Sequence, residues 1–131
     1  PGLGDSLSAS VVVEFLTGFR GPIVVDADGL NLLAGVPRFD IPDARRIVLT
    51  PHPGEARRLL AARGIDRAID ASSPARRAAA SALSAAFGCT VVLKGRQTIV
   101  TNGDRIYTNE TGNAGMATGG TGDVLTGVIA A

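Results

Sequence analysis

Gly119, Gly120, Thr121, Gly122 and Asp123 run consecutively and are the residues of this sequence best suited to chemistry. Glycines at 119, 120 and 122 let the backbone approach an anion closely, because no side chain intervenes. The apolar run after them opens a helix, whose free N–H groups and dipole favour a phosphate. Asp123 falls in the first turn of that helix. A carboxylate beside a phosphate is repelled unless it accepts a proton or is offset by a metal. Its natural task there is to take the proton from a hydroxyl that attacks phosphorus. The same local pattern also fits a carboxylate that only stabilises the helix start, with the glycines serving a tight turn. No Gly-Lys-Ser/Thr follows, so this is not a Walker A loop, nor does it open a βαβ unit as a dinucleotide fingerprint does.

Other polar residues stand where strands should end. Lys94, Gly95, Arg96, Gln97 and Thr98 follow an apolar run and precede a hairpin signal. Lys94 can place a positive charge on phosphates, and Gly95 allows close backbone approach. A bulged turn with solvent-facing cations explains the same residues. His52, the single histidine, lies between Pro51 and Pro53, which stiffen its backbone. It has no second His or Cys cluster for a metal, and no residue is assigned as a metal ligand. Glu55 suits a helix N-terminus. Asp26, Asp28 and Asn31 share one strand end, where they could orient a substrate, hold Mg²⁺ through water, or cap the next helix. Cys89 reads as a small buried residue rather than a nucleophile.

Alternating patterns must position these groups. Residues 7–19 carry Leu7, Val11, Phe15 and Leu16 at helical spacing, with Ser6 as the expected cap. Ile23-Val24-Val25 and residues 46–50 read as strands, followed by a short helix at 29–33 and a helix at 55–63 respectively. Residues 38–43 read as a Pro-containing loop and 65–73 as a connector. Pro74 to Phe87 is an Ala-rich helix with Pro74 in its first turn, Gly88 as its stop and a solvated, Arg-bearing face. Thr90 to Leu93 is a third strand. Residues 97–101 and 104–108 flank Asn102-Gly103, a two-residue hairpin signal. Residues 109–120 form a Gly-rich loop, and Thr121 starts the last helix. Strand–helix alternation implies βαβ crossovers and a mostly parallel sheet, with ligands beyond the strands' C-terminal ends.

Of 131 residues, 45% are apolar and 19% charged, which suits one globular α/β domain. A net charge of +1 gives no field for nucleic acid or an anionic membrane. No apolar run spans a bilayer. The lone Cys89 forms no internal disulfide, so a reducing cytoplasm is expected. Pro1-Gly-Leu-Gly4 reads as part of a Gly-rich loop, and residues 124–131 as a helix without a C-cap. Residues 1–131 are therefore expected to be an interior segment of one domain.

The helix-start motif resembles the anion hole and catalytic base of ribokinase-like enzymes. The wider string from Thr111 to Leu125 resembles more narrowly the ADP/ATP-dependent NAD(P)H-hydrate dehydratase family, the dehydratase part of a bifunctional NAD(P)H-hydrate repair enzyme. Pro1-Gly-Leu-Gly4, Val25 to Asn31 and Leu49 to Glu55 are similar to further motifs of that family, in the same order. Ala114 departs from a common Pro and Gly29 from a common Ala, neither a position that supplies a catalytic side chain. The resemblance implies a ribokinase-like three-layer α/β/α fold with a mostly parallel sheet, truncated at both ends. It implies dehydration of (6S)-NADHX or (6S)-NADPHX, with ADP or ATP as co-substrate and Mg²⁺ as cofactor. It implies Asp123 as catalytic base, Gly120, Thr121 and Gly122 as the anion hole, and Lys94, Gly95, Arg96, Gln97, Thr98 and Gly122 around the nucleotide. Gly4, His52 and Asp123 would meet the hydrate. An epimerase domain, fused or separate, and a homo-oligomer are both compatible. The alternatives are a small-molecule kinase of the same superfamily, of hydroxyethylthiazole or pyridoxal type, and a non-catalytic nucleotide-binding module. Thiazole kinases resemble Gly-Thr-Gly-Cys at the base position, so Asp123 counts against them.

Overall fold

The computed structural model describes residues 8–36, 41–69 and 72–131. Two aliphatic triplets rich in β-branched residues form β1 (Ile23–Val25) and β2 (Ile47–Leu49), and β3 covers Thr90–Leu93. In β1 and β2 the outer residues are buried and the middle one is half-buried, the period of two that a strand imposes. β1 pairs in parallel with β2, and β2 with β3. β4 (Ile99–Thr101) then runs antiparallel to β3, and β5 (Ile106–Thr108) antiparallel to β4. The five strands lie in the order β1-β2-β3-β4-β5. Strands β1, β2, β3 and β5 therefore point one way, while the late hairpin makes the sheet mixed by pairing.

Five α-helices accompany the sheet among the described residues: α1 (Ala9–Gly18), α2 (Asp28–Ala34), α3 (Pro53–Ala62), α4 (Ser73–Phe87) and α5 (Thr121–Ala130). The first begins after Ser8, not Ser6, and Ser8 makes no side-chain cap; Ser6 and Leu7 lie outside the described residues, as do 38–40 of the expected loop and 70–71 of the connector. Short 3-10 turns precede β2 at Ala44–Arg46 and occupy Ala114–Met116. Ser72 caps α4 by accepting from the Ala75 amide at 3.4 Å, and Gly88 ends the helix. The hairpin connection is four residues long rather than two. The Asn102 carboxamide oxygen accepts from the Arg105 amide at 2.9 Å and the Asp104 amide at 3.2 Å, an Asx turn that replaces the expected tight turn.

Ile23, Val25, Ile47, Leu49, Val91, Leu93 and Ile99 from the sheet join Leu16, Leu30, Leu33, Leu59, Leu60 and Leu83 from α1 to α4 in one buried cluster. Shortening one of these leucines to Ala costs about 2–5 kcal/mol, through lost burial and the cavity left behind. α5 contacts β1 but contributes no buried residue. The sheet thus has one face sealed by four helices. Its crossovers bring the C-terminal ends of β1, β2 and β3 to one rim.

Candidate active site

Asp26, Thr50 and Lys94 each stand one residue past a strand of that rim. The Lys94 ammonium donates to Asp26 Oδ1 at 2.6 Å, and the Ala27 amide donates to the same oxygen at 2.9 Å. Asp26 Oδ2 accepts from the Thr126 hydroxyl of α5 at 3.3 Å. Asp26 is only 2% exposed. Burial alone would raise its pKa, but bonds from Lys94 and Ala27, the Lys94 charge and the Thr50 hydroxyl outweigh it and hold the carboxyl below its ordinary value. The geometry around it is fixed by the chain. The Lys94 amide donates to the Pro51 carbonyl at 2.8 Å, continuing the β2–β3 pairing past the strand end, and the Thr50 amide donates to the Val25 carbonyl at 3.1 Å.

Next along the rim, His52 opens α3. Its Nδ1 accepts from the Gly54 amide at 2.9 Å and the Glu55 amide at 3.4 Å. The His52 amide in turn donates to Glu55 Oε2 at 2.8 Å, completing a capping box with an imidazole in the place a Ser or Thr usually takes. A nitrogen that accepts carries no proton, so the proton of the neutral ring sits on Nε2, 3.3 Å from Glu55 Oε1. Glu55 Oε2 also lies 4.0 Å from Lys94 Nζ. Lys94 thus stands between two carboxylates.

α5 reaches this cluster through its first turn. Gly120 is the N-cap in a left-handed conformation, φ 84°, that glycine adopts without strain. A methyl group on Gly122 would stand 3.2 Å from Asp26 Oδ2 and 3.7 Å from Lys94 Nζ, so the missing side chain is what lets the helix start against the charged pair. The Thr121 amide is turned back onto the Thr118 carbonyl at 3.3 Å, and Val124 starts the helical ladder on Gly120. Among the described residues, the amides of Gly122 and Asp123 make no turn or cap bond. The Asp123 side chain is exposed, and no side chain caps the helix.

The 94–98 loop leaves the same rim. Lys94 faces Asp26, while Arg96 and Gln97 are exposed and the Thr98 hydroxyl donates to the Gly95 carbonyl at 3.0 Å. Beneath the loop lies Arg76 of α4, which contradicts the expected solvated Arg-bearing face: it is only 6% exposed. Its guanidinium donates to the Lys94 carbonyl at 3.1 Å, the Leu93 carbonyl at 3.4 Å and the Arg96 carbonyl. Burial lowers its pKa, yet an arginine remains protonated.

The structure thus brings together Asp26, His52, Lys94, Gly95, Gly120, Thr121, Gly122 and Asp123 around one rim. The Asn31 side chain, on α2, accepts from Arg58 Nε at 3.1 Å and Nη2 at 2.9 Å. Gly4 lies outside the described residues. The Asn102–Gly103 tip lies at the opposite rim, with Gly103 beside Ser84 near the start of β3. A cavity of about 500 Å³ lined by Arg57, Ala61, Ile65 and Arg67 belongs to the far end of α3, away from the rim. Thr50, Thr126 and Arg76 were not singled out from the sequence. Arg76 carried a signal: with Ala79, Ala80, Leu83 and Phe87 it falls on the buried stripe of α4 at helical spacing.

No group of three or more His, Cys, Asp or Glu gathers to hold a metal among the described residues. Asp26 and Glu55 are engaged by Lys94 and the His52 amide. This donor set fits a Mg²⁺ ion carried mainly by substrate phosphates, which needs one or two protein carboxylates, directly or through water.

The chain aligns with a ribokinase-like superfamily protein of Enterococcus faecalis at a TM-score of 0.76 and 29% identity, covering 99% of this chain and 44% of that one. The fold is ribokinase-like. The structure of the ADP/ATP-dependent NAD(P)H-hydrate dehydratase of Bacillus subtilis, co-crystallized with ATP and Mg²⁺, aligns at a TM-score of 0.64 and 34% identity, covering 83% of this chain and 36% of that one. An ADP-dependent (S)-NAD(P)H-hydrate dehydratase of Neisseria meningitidis is 47% identical over 111 residues, 82% of this chain and 36% of the relative's length. The model of the NAD(P)H-hydrate dehydratase family matches residues 1–131, and the chain belongs to that family.

Proposed function

We propose that this chain is an interior segment of the catalytic domain of a nucleotide-dependent NAD(P)H-hydrate dehydratase, acting in the cytoplasm as a metabolite-repair lyase. The reading is carried by one observation: Gly122 seats the start of α5 against the Asp26–Lys94 pair, so the Gly-rich helix start and the 94–98 loop adjoin. An anion hole and a nucleotide strip would then share one phosphate. Gly120, Thr121 and Gly122 cradle the transferring phosphoryl group, and Lys94, Gly95, Arg96, Gln97 and Thr98 with Gly122 hold the nucleotide. Gly4, His52 and Asp123 meet the hydrate.

The C6 hydroxyl of (6S)-NADHX or (6S)-NADPHX attacks the terminal phosphorus of ADP or ATP, and Asp123 takes the hydroxyl proton. The bond from phosphorus to the leaving oxygen breaks, giving AMP or ADP. Phosphate then departs from C6, pushed by the lone pair of the ring nitrogen. Loss of a proton from C5 restores the dihydropyridine. Hydroxide is a poor leaving group and phosphate a good one, which is why a phosphoryl-transfer scaffold suits a dehydration. Mg²⁺ would neutralise phosphate charge when bound. The exposed Asp123 fits a base that meets an incoming ligand better than it fits a helix cap, since no side-chain cap bond is made. An epimerase that supplies the S form would act with this activity, fused or separate.

The test is to incubate the full-length protein with (6S)-NADHX, Mg²⁺ and either nucleotide, following the absorbance of regenerated NADH and the release of phosphate. NADH formed in step with phosphate is the expected result. A phosphorylated product that accumulates would point to a kinase, and nucleotide binding without turnover to a binding module.

A further inference from the structure

We propose that Arg76 is a positioning residue for the nucleotide, because it fixes which way the backbone of the 93–97 loop points. This rests on the nucleotide-binding reading of that loop and adds to it a residue from α4, outside the loop. The guanidinium is one buried cation beneath three carbonyls, those of Leu93, Lys94 and Arg96. A trans peptide is planar, so its C=O and the next residue's N–H point in opposite directions. Every peptide in the described residues is trans. With the carbonyls of Lys94 and Arg96 drawn inward onto Arg76, the amides of Gly95 and Gln97 are turned outward, to the side away from α4.

Three further observations agree. Gly95 has φ +127°, and a methyl group there would stand 3.0 Å from Arg76 Nη2, so the loop folds around the guanidinium only with glycine at this position. Gln97 also takes a positive φ, 55°, the kind of turn in which backbone amides gather into an anion-binding concavity. Among the described residues neither the Gly95 nor the Gln97 amide makes a turn or loop bond, whereas the Lys94 amide is spent on Pro51. Arg76 also has no carboxylate partner among the described residues, so its charge is shared with carbonyl dipoles and not cancelled. A buried, uncancelled cation directly under two outward amides favours an anionic oxygen on the loop's outer side. The ligand group this would hold is a phosphate of the nucleotide.

The test uses the full-length protein. Arg76→Lys keeps the charge but cannot span three carbonyls, and Arg76→Met removes both. Expected in each is a rise in nucleotide KM of about tenfold or more, larger for Met, with hydrate KM unchanged within about twofold. A purely structural arginine would lower Tm without separating the two KM values, and that result overturns the proposal. Should neither variant fold, amide hydrogen exchange of the wild type decides. Adenine nucleotide should protect the amides of Gly95 and Gln97, and exchange that nucleotide leaves unchanged there sinks the idea. Protection without any hydrate turnover would keep the role of Arg76 and defeat the proposed reaction. Turnover without protection would do the reverse.

Discussion

The rim and the start of α5 touch, yet they are built in opposite ways. At the rim, Asp26 is buried and both its oxygens are engaged, by Lys94, Ala27 and Thr126. At the helix start, Asp123 is exposed and the amides of Gly122 and Asp123 are not spent on turns. A buried charge is costly unless paired and hydrogen-bonded, so the rim must be complete before any ligand arrives. An anion cradle must keep donors available, so it is left to solvent. The rim therefore serves as foundation, and the helix start as the working surface that a single glycine lets approach it.

Substitutions on the two sides of this contact should have different effects. Asp123→Asn should lower kcat by about 10²- to 10⁴-fold, the usual share of a positioned general base. Its Tm should not move, because Asp123 makes no cap bond. Steady-state kinetics with matched thermal scans check both, and near-normal turnover would remove Asp123 as the base. Lys94→Met should act in the other direction, on stability. It strands the Asp26 carboxylate, a loss near the lower end of the ~3–5 kcal/mol typical of breaking a buried pair, since Lys94 keeps some solvent contact. Denaturant unfolding measures it; a variant as stable as the wild type would show the rim is not a foundation.

The third effect is a pH dependence. The Asp26 pKa is lower in the folded chain than its ordinary 3.8. The unfolded state then binds more protons through the acid range, so this stabilisation is present above the unfolded value and is lost as pH falls through the folded one. Unfolding midpoints taken at descending pH should show this loss in the wild type. Asp26→Asn should lose that component of the acid slope; an unchanged slope would mean that Asp26 does not carry it. The smallest effect concerns the contact itself. In Gly122→Ala the gain in helix propensity, up to about 1 kcal/mol, offsets crowding against Asp26 Oδ2 at 3.2 Å. Stability should change little while nucleotide affinity falls severalfold, as read by titration calorimetry. Unaltered affinity would mean that the cradle does not depend on the close approach of α5.

Much of this was legible in the sequence because the governing rules are local. Period-two triplets marked β1 and β2, and Gly88 marked the end of α4. Asp123 was marked by the glycines before it and the apolar run after it. Rules for single residues and dipeptides fell short where a nearby side chain takes up backbone amides. The hairpin dipeptide Asn102-Gly103 promised a two-residue turn, but the Asn102 side chain bonds the Asp104 and Arg105 amides and a longer connection forms. The cap that His52 supplies to α3 also went unread, because it needs Glu55 three residues on to complete a reciprocal pair.

By itself the sequence determined the alternation of strand and helix, the parallel direction of the first three strands and the convergence of polar residues on one rim. All of these follow from hydrophobic period and from the way βαβ units must cross over. The tertiary structure alone decided the partners. Lys94 lies 68 positions from Asp26, and Thr126 lies 100 from it; no spacing rule reaches that far. Arg76 looked like one more solvated arginine in an Ala-rich helix. It is buried because the packing of α4 on β3 and β4 brings the carbonyls of Leu93 and of the loop after it over the guanidinium, and a desolvated cation must be satisfied by whatever acceptors the fold supplies.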